Sequence, residues 1–142
     1  MSAYADTSFL VSLYTPDANS ASAAAQMKRL RTPFLLTPFG ELELLNALEL
    51  RIFRRELTPA EIKAARAALR GDIETGVYAL TPLPGGAFEK AKELACRHTS
   101  NLGSRTLDIL HVAAALVLLA DAFFSFDRGQ KRLAKAVGLK IP

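Results

Sequence analysis

The sequence predicts an open α/β sandwich: a parallel sheet of about four to five short strands with helices on both faces. Three observations carry this. Apolar runs of about four residues alternate with helical patterns of about 10 to 15 residues. A length of 142 residues is ordinary for one domain. Half of the residues are hydrophobic and 23% are charged, a balance that builds a core and argues against a disordered chain. No tandem repeat, low-complexity tract or long linker divides the chain, so residues 1–142 read as a single domain.

Ala3 to Asp6 reads as the first strand. Ser8 to Tyr14 and Ser20 to Leu30 read as helices, parted by the turn Thr15-Pro16-Asp17. Phe34 to Thr37, bounded by Pro33 and Pro38, is the second strand. From Phe39 to about Arg55 the apolar spacing is helical. Thr58-Pro59-Ala60-Glu61 then supplies an N-cap, a proline at the first helical position and a capping box for a helix ending near Thr75-Gly76. Val77 to Thr81 is the third strand, and the turn from Pro82 to Gly86 leads into a helix reaching about His98. A polar loop, Thr99 to Arg105, precedes a helix from about Thr106 to Leu119 and a strand from Ala122 to Ser125. Asp127 caps a helix through Val137, Gly138 stops it, and Leu139 to Ile141 is a last short strand.

The most apolar stretch, Val112 to Ala120, is far shorter than the roughly 20 residues a membrane helix needs, so a buried helix is expected and no membrane partner. Met1 to Tyr14 carries one acid and no base, unlike an export leader, and a cytoplasmic protein is expected. The single cysteine, Cys96, excludes an internal disulfide and a multi-thiolate zinc site. The net charge of +4 is compatible with a polyanionic partner. Basic residues cluster at Lys28, Arg29 and Arg31, at Arg51, Arg54 and Arg55, at Lys63, Arg66 and Arg70, and from Arg128 to Lys135; solvated helix faces are the first reading of such clusters.

Ligands of open parallel sheets bind beyond the carboxyl ends of the strands. Asp6 ends the first strand and Asp127 follows the fourth, so both fall at that edge. Asp121 precedes its strand and falls at the opposite edge. Asp108 lies in the first turn of a helix that is apolar nearly all round, where a carboxylate needs a partner or a metal beyond what the helix dipole provides. Glu41 and Glu43 share a helix but point about 200° apart, so one at most faces a common site, and periodicity does not choose between them. His111, one turn beyond Asp108, reads as a packing residue, with support of the site as the alternative. Asn46 is spaced to hold Glu43 by a hydrogen bond.

YADTSFLVSLY around Asp6, ELLNAL from Glu43, DILHVAAAL from Asp108 and SFDRGQKRLAKAVGLKI around Asp127 together resemble the PIN-domain ribonucleases, specifically VapC-type toxins of toxin–antitoxin pairs. The resemblance spans essentially the whole chain. It implies a PIN-like sheet and a site of four acids, Asp6, Glu43, Asp108 and Asp127, and so selects Glu43 over Glu41. Thr7 and Ser8 match the family's hydroxyl residues after the first acid, and Ser125 matches its Ser or Thr two positions before the last. Four clustered carboxylates stay ionised only beside a cation, and all-oxygen ligands favour Mg²⁺ or Mn²⁺ over zinc. The activity implied is hydrolysis of RNA phosphodiester bonds by a water activated at that metal.

Asp6 and Asp108 are the expected main ligands, completed by Asp127 and Glu43. With those four acids set aside, 18 bases face 10 acids, a balance that suits RNA, and Arg105 and Arg128 are candidate phosphate contacts. The resemblance also implies a cognate antitoxin protein and a homodimer; Leu44, Leu48, Ile52 and Phe53 are among the candidate apolar contacts, although core packing is the first use expected of most of them. Two rivals stand beside it: a PIN-fold module that binds RNA or antitoxin without turnover, and a phosphohydrolase with Asp6 as nucleophile, which would lack the usual second acid two residues on.

Overall fold

A computed structural model describes residues 2–142. Four parallel strands, β1 (Ala3–Ala5), β2 (Phe34–Leu36), β3 (Tyr78–Leu80) and β4 (Ala122–Phe124), form one sheet in the order β3-β2-β1-β4. The chain therefore runs from β1 outward through β2 to β3, then crosses to the other side of β1. The order reverses between β1 and β4, the position at which open α/β sheets form their ligand crevice.

Strands β1, β2 and β4 cover both faces, because their side chains alternate between two cores, while the edge strand β3 adds Tyr78 to the first and leaves Leu80 exposed. Ala3, Ala5, Phe34, Leu36, Tyr78 and Phe124 face helices α1 (Thr7–Tyr14), α2 (Ser20–Arg29), α3 (Pro38–Phe53) and α4 (Pro59–Glu74). Tyr4, Leu35 and Phe123 face α5 (Gly86–Leu102), α6 (Thr106–Val117) and α7 (Arg128–Ala136). On the first side Phe9 packs among Phe34, Phe124 and Phe126 at ring separations of 5.4 to 5.7 Å; on the second Tyr4 stacks on Phe123 at 5.7 Å. No helix among the described residues is long and apolar enough to cross a membrane.

The helix starts follow their caps. Asp6, Thr37, Thr58 and Asp127 each accept a hydrogen bond from a backbone N–H three residues on, and Pro38 and Pro59 occupy first-turn positions that need no donor. Two expectations need correction. The helix expected to end near His98 continues to Leu102: the polar run Thr99-Ser100-Asn101 makes its final turn, and the stop is Gly103, whose φ of 63° is the left-handed conformation a side chain resists. The segment expected as a last strand makes a single bridge, Lys140 to Ala122, after the Gly138 turn, and the buried Leu139 anchors it.

Candidate active site

The pairing of β1 with β4 brings two strand ends together: Asp6 N–H donates to the Phe124 carbonyl at 3.0 Å, and one residue later the Ser125 hydroxyl donates to Asp6 Oδ2 at 2.5 Å. Asp6 Oδ1 accepts from the Ser8 hydroxyl at 2.6 Å and from the Phe9 N–H at 3.0 Å, which makes Asp6 the N-cap of α1. The carboxylate is 0% exposed. Burial raises its pKa above the ordinary carboxylate range, opposed by the bonds from Ser125, Ser8 and Phe9. Ser125 Oγ also accepts the Asp127 N–H at 2.9 Å, so one serine ties the first strand-end acid to the second.

Asp127 caps α7 through the Gln130 N–H at 2.8 Å. The Gln130 side chain donates Nε2 to Asp108 Oδ1 at 3.1 Å, so a single residue holds Asp108 and Asp127 side by side. Arg105 stands over the pair: its Nε donates to Asp108 Oδ2 at 3.0 Å and its Nη2 lies 3.8 Å from Asp127 Oδ2. The hydrogen bond to Asp108, then its charge, raises the Arg105 pKa further. Glu43 reaches the same cleft from α3. Its Oε1 accepts from the Thr7 hydroxyl and from His111 Nε2, the latter at 2.6 Å. Burial acts to raise the Glu43 pKa, but these bonds outweigh it and the net displacement is downward.

Thr7, Ser8, Glu43, Arg105, Asp108, Asp127 and Gln130 line a cleft of about 420 Å³. Asp6 lies immediately behind it, bonded to Ser8. Glu41, by contrast, lines an apolar groove with Leu42, Leu45 and Leu80. Asp121 is at the opposite edge, where it accepts the Ser2 N–H at 2.7 Å. Asn46 is exposed and does not hold Glu43, which Thr7 and His111 hold instead. Arg128 is exposed at the start of α7, outside the cleft lining. Leu44 and Leu48 are wholly buried in the first core and offer no surface to a partner, Ile52 is half-buried against that core, and Phe53 is exposed. One contributor, Gln130, escaped the sequence reading, and one, His111, was weighed there chiefly as a packing residue. Gln130 gave no signal beyond its place three residues after Asp127, the spacing of a cap partner. His111 was visible one turn after Asp108, but its partners come from β1 and α3.

The donors suit a hard divalent cation, since all four acids offer oxygen and Gln130 Oε1 is buried beside them with no partner among the described residues. In this arrangement no three His, Cys, Asp or Glu side chains among the described residues converge on one point, and the positive charge between Asp108 and Asp127 comes from Arg105.

The model of the PIN domain matches residues 3–136. A comparison with curated proteins finds no match. Among solved structures the chain is similar to the sarcin–ricin loop cleaving toxin VapC20 of Mycobacterium tuberculosis, at 20% identity over 96% of this chain and 95% of that one, with a TM-score of 0.71. It is similar to FitAcB of Neisseria gonorrhoeae at 15% identity, 98% and 95% coverage and a TM-score of 0.68. It is also similar to VapBC2 of Rickettsia felis bound to a fragment of promoter DNA, at 14% identity, 100% and 98% coverage and a TM-score of 0.67. A family model spanning nearly the whole chain, and a parallel sheet that superposes on these folds from end to end, establish that the chain belongs to the PIN domain family and shares the fold of VapC-type toxins.

Proposed function

We propose that this protein is a metal-dependent endoribonuclease that hydrolyses RNA phosphodiester bonds, the toxin of a toxin–antitoxin pair. The observation that carries the reading is the gathering of Asp6, Glu43, Asp108 and Asp127 around the β1/β4 switch point of a PIN-family chain. Asp108 and Asp127 line the cleft and are the ligands nearest solvent. Glu43 offers its Oε2, and Asp6 would join through the Oδ1 lone pair that the Ser8 hydroxyl occupies in this structure. A bound Mg²⁺ or Mn²⁺ supplies water activation and charge neutralisation at phosphorus.

The protein's own groups do the rest. Arg105, 78% exposed, moves from the acids to a phosphate of the substrate, and Arg128 extends the basic track along α7. Thr7 and Ser125 hold Glu43 and Asp6 in place. Burial of Asp6, with both oxygens occupied, speaks against its use as a nucleophile. The partners follow from the family: an RNA substrate, a cognate antitoxin and a second copy of the chain, in the cytoplasm.

The test compares wild-type and Asp6→Asn protein, freed of partners, on total cellular RNA with Mg²⁺, Mn²⁺ or EDTA, mapping new 5′ ends. Discrete cuts that need both metal and Asp6 are expected. Cutting by the Asp6→Asn protein equal to wild type refutes the site, and no cutting by folded wild-type protein favours the non-catalytic binding module.

A further inference from the structure

His111 is wholly buried on α6, between the rings of Tyr4 at 5.8 Å and Phe39 at 4.6 Å. Both ring nitrogens are engaged: Nδ1 lies 2.8 Å from the Tyr4 hydroxyl and Nε2 lies 2.6 Å from Glu43 Oε1. A carboxylate oxygen cannot donate, so Nε2 carries the proton and donates to Glu43. With Nε2 carrying the proton, Nδ1 is an acceptor, and the buried Tyr4 hydroxyl donates to it. The hydroxyl of β1 thus holds the ring, and the ring holds the acid of α3.

A packing histidine needs no such chain. Here the link joins the second core to a carboxylate that lines the cleft and whose other oxygen, Oε2, has no hydrogen bond among the described residues. From this geometry we infer that His111, oriented by Tyr4, is a positioning residue: it fixes Glu43 Oε1 so that Oε2 alone is presented to a divalent cation. The inference rests on the metal-site reading above. Ligand-orienting hydrogen bonds of this kind typically change metal affinity or activity by about 10- to 100-fold when lost.

The experiment measures Mn²⁺ affinity by calorimetry for wild type, His111→Leu, His111→Gln, Glu43→Ala and the His111→Leu/Glu43→Ala double variant, with circular dichroism confirming the fold. His111→Leu is expected to weaken binding about tenfold. His111→Gln keeps an N–H near the Nε2 position and is expected to restore most of it. In the Glu43→Ala background His111→Leu is expected to add less than about twofold, because its effect passes through Glu43. Wild-type affinity in folded His111→Leu, or an undiminished loss in the Glu43→Ala background, overturns the inference.

Imidazole ¹⁵N spectra of the metal-free wild type supply an independent reading. A protonated Nε2 whose resonance moves on Glu43→Ala is expected; a neutral Nδ1–H tautomer overturns the inference without any metal. Mn²⁺ binding without RNA cleavage defeats the nuclease reading and leaves the His111 link to the affinity cycle. Absence of Mn²⁺ binding by wild type defeats both the metal reading and the positioning role.

Discussion

Replacing Asp6 by alanine and by asparagine separates its hydrogen bonds from its charge. Alanine removes the cap on the Phe9 N–H and takes the acceptor from two hydroxyls, Ser8 and Ser125. A lost N-cap costs about 1 kcal/mol, and each buried hydroxyl left without its acceptor about 1 kcal/mol more, so Asp6→Ala should lose about 3 kcal/mol. Asparagine caps as well as aspartate and keeps the acceptor toward Phe9 and Ser8, so Asp6→Asn should stay within about 1 kcal/mol of wild type.

The pH dependence follows from the upward displacement of the Asp6 pKa by burial. Between the ordinary carboxylate range and its raised value, the folded protein keeps a proton that the unfolded chain has released. This contribution is fully present below the unfolded pKa and is lost as pH rises through the folded one. Urea unfolding of the three metal-free proteins across pH 4 to 8 measures both effects, and the difference between wild type and Asp6→Asn isolates this carboxyl. Wild type should lose ground to Asp6→Asn as pH rises. A gain instead, or equal destabilisation by alanine and asparagine, would refute the account of a buried carboxyl that acts in folding chiefly as a hydrogen-bond acceptor.

In the Asp108→Asn background, Arg105→Ala and Arg128→Ala should each lower the slope of log affinity for single-stranded RNA against log salt by about 0.7; an unchanged slope removes that arginine from the phosphate path. Ser125→Ala breaks the bonds to Asp6 and the Asp127 N–H and should cost about 1 to 2 kcal/mol by urea unfolding, with a larger proportional loss in cleavage rate. EDTA should abolish cleavage, and added Mg²⁺ or Mn²⁺ should restore it, as read by gel. Gly103→Ala should lower stability by about 1 kcal/mol, because a side chain resists its φ of 63°.

Most of the fold was legible because each element carries its own punctuation. Thr37-Pro38 and Thr58-Pro59 announce helix starts, and short apolar runs alternating with helices are the mark of a parallel sheet covered on both faces. The placement of Asp6 and Asp127 followed from the strand-end rule alone. The choice between Glu41 and Glu43 did not, because a helix shows its own faces but not what lies opposite each; Thr7 and His111 decide that, and they come from α1 and α6. Arg105 read from the sequence as a phosphate contact near Asp108; that it pairs with Asp108 and reaches Asp127 depends on how α6 and α7 pack. The polar run after His98 read as a loop, since the signal for helix end sits at Gly103 and outweighs composition.

The two cores divide the chain in order of synthesis. Residues through α4 build one side of the sheet, and α5 to α7 build the other. Glu43 belongs to the early side, Asp108 and Asp127 to the late side, and β4, which seats Ser125 against Asp6, is the final strand to join. A chain still emerging from the ribosome through residue 105 lacks half of the acids, and one that has released Asp108 still lacks the serine that orients Asp6. The cleft is therefore completed only once β4 and α7 have been made, so a chain extended no further than α6 cannot assemble the candidate site.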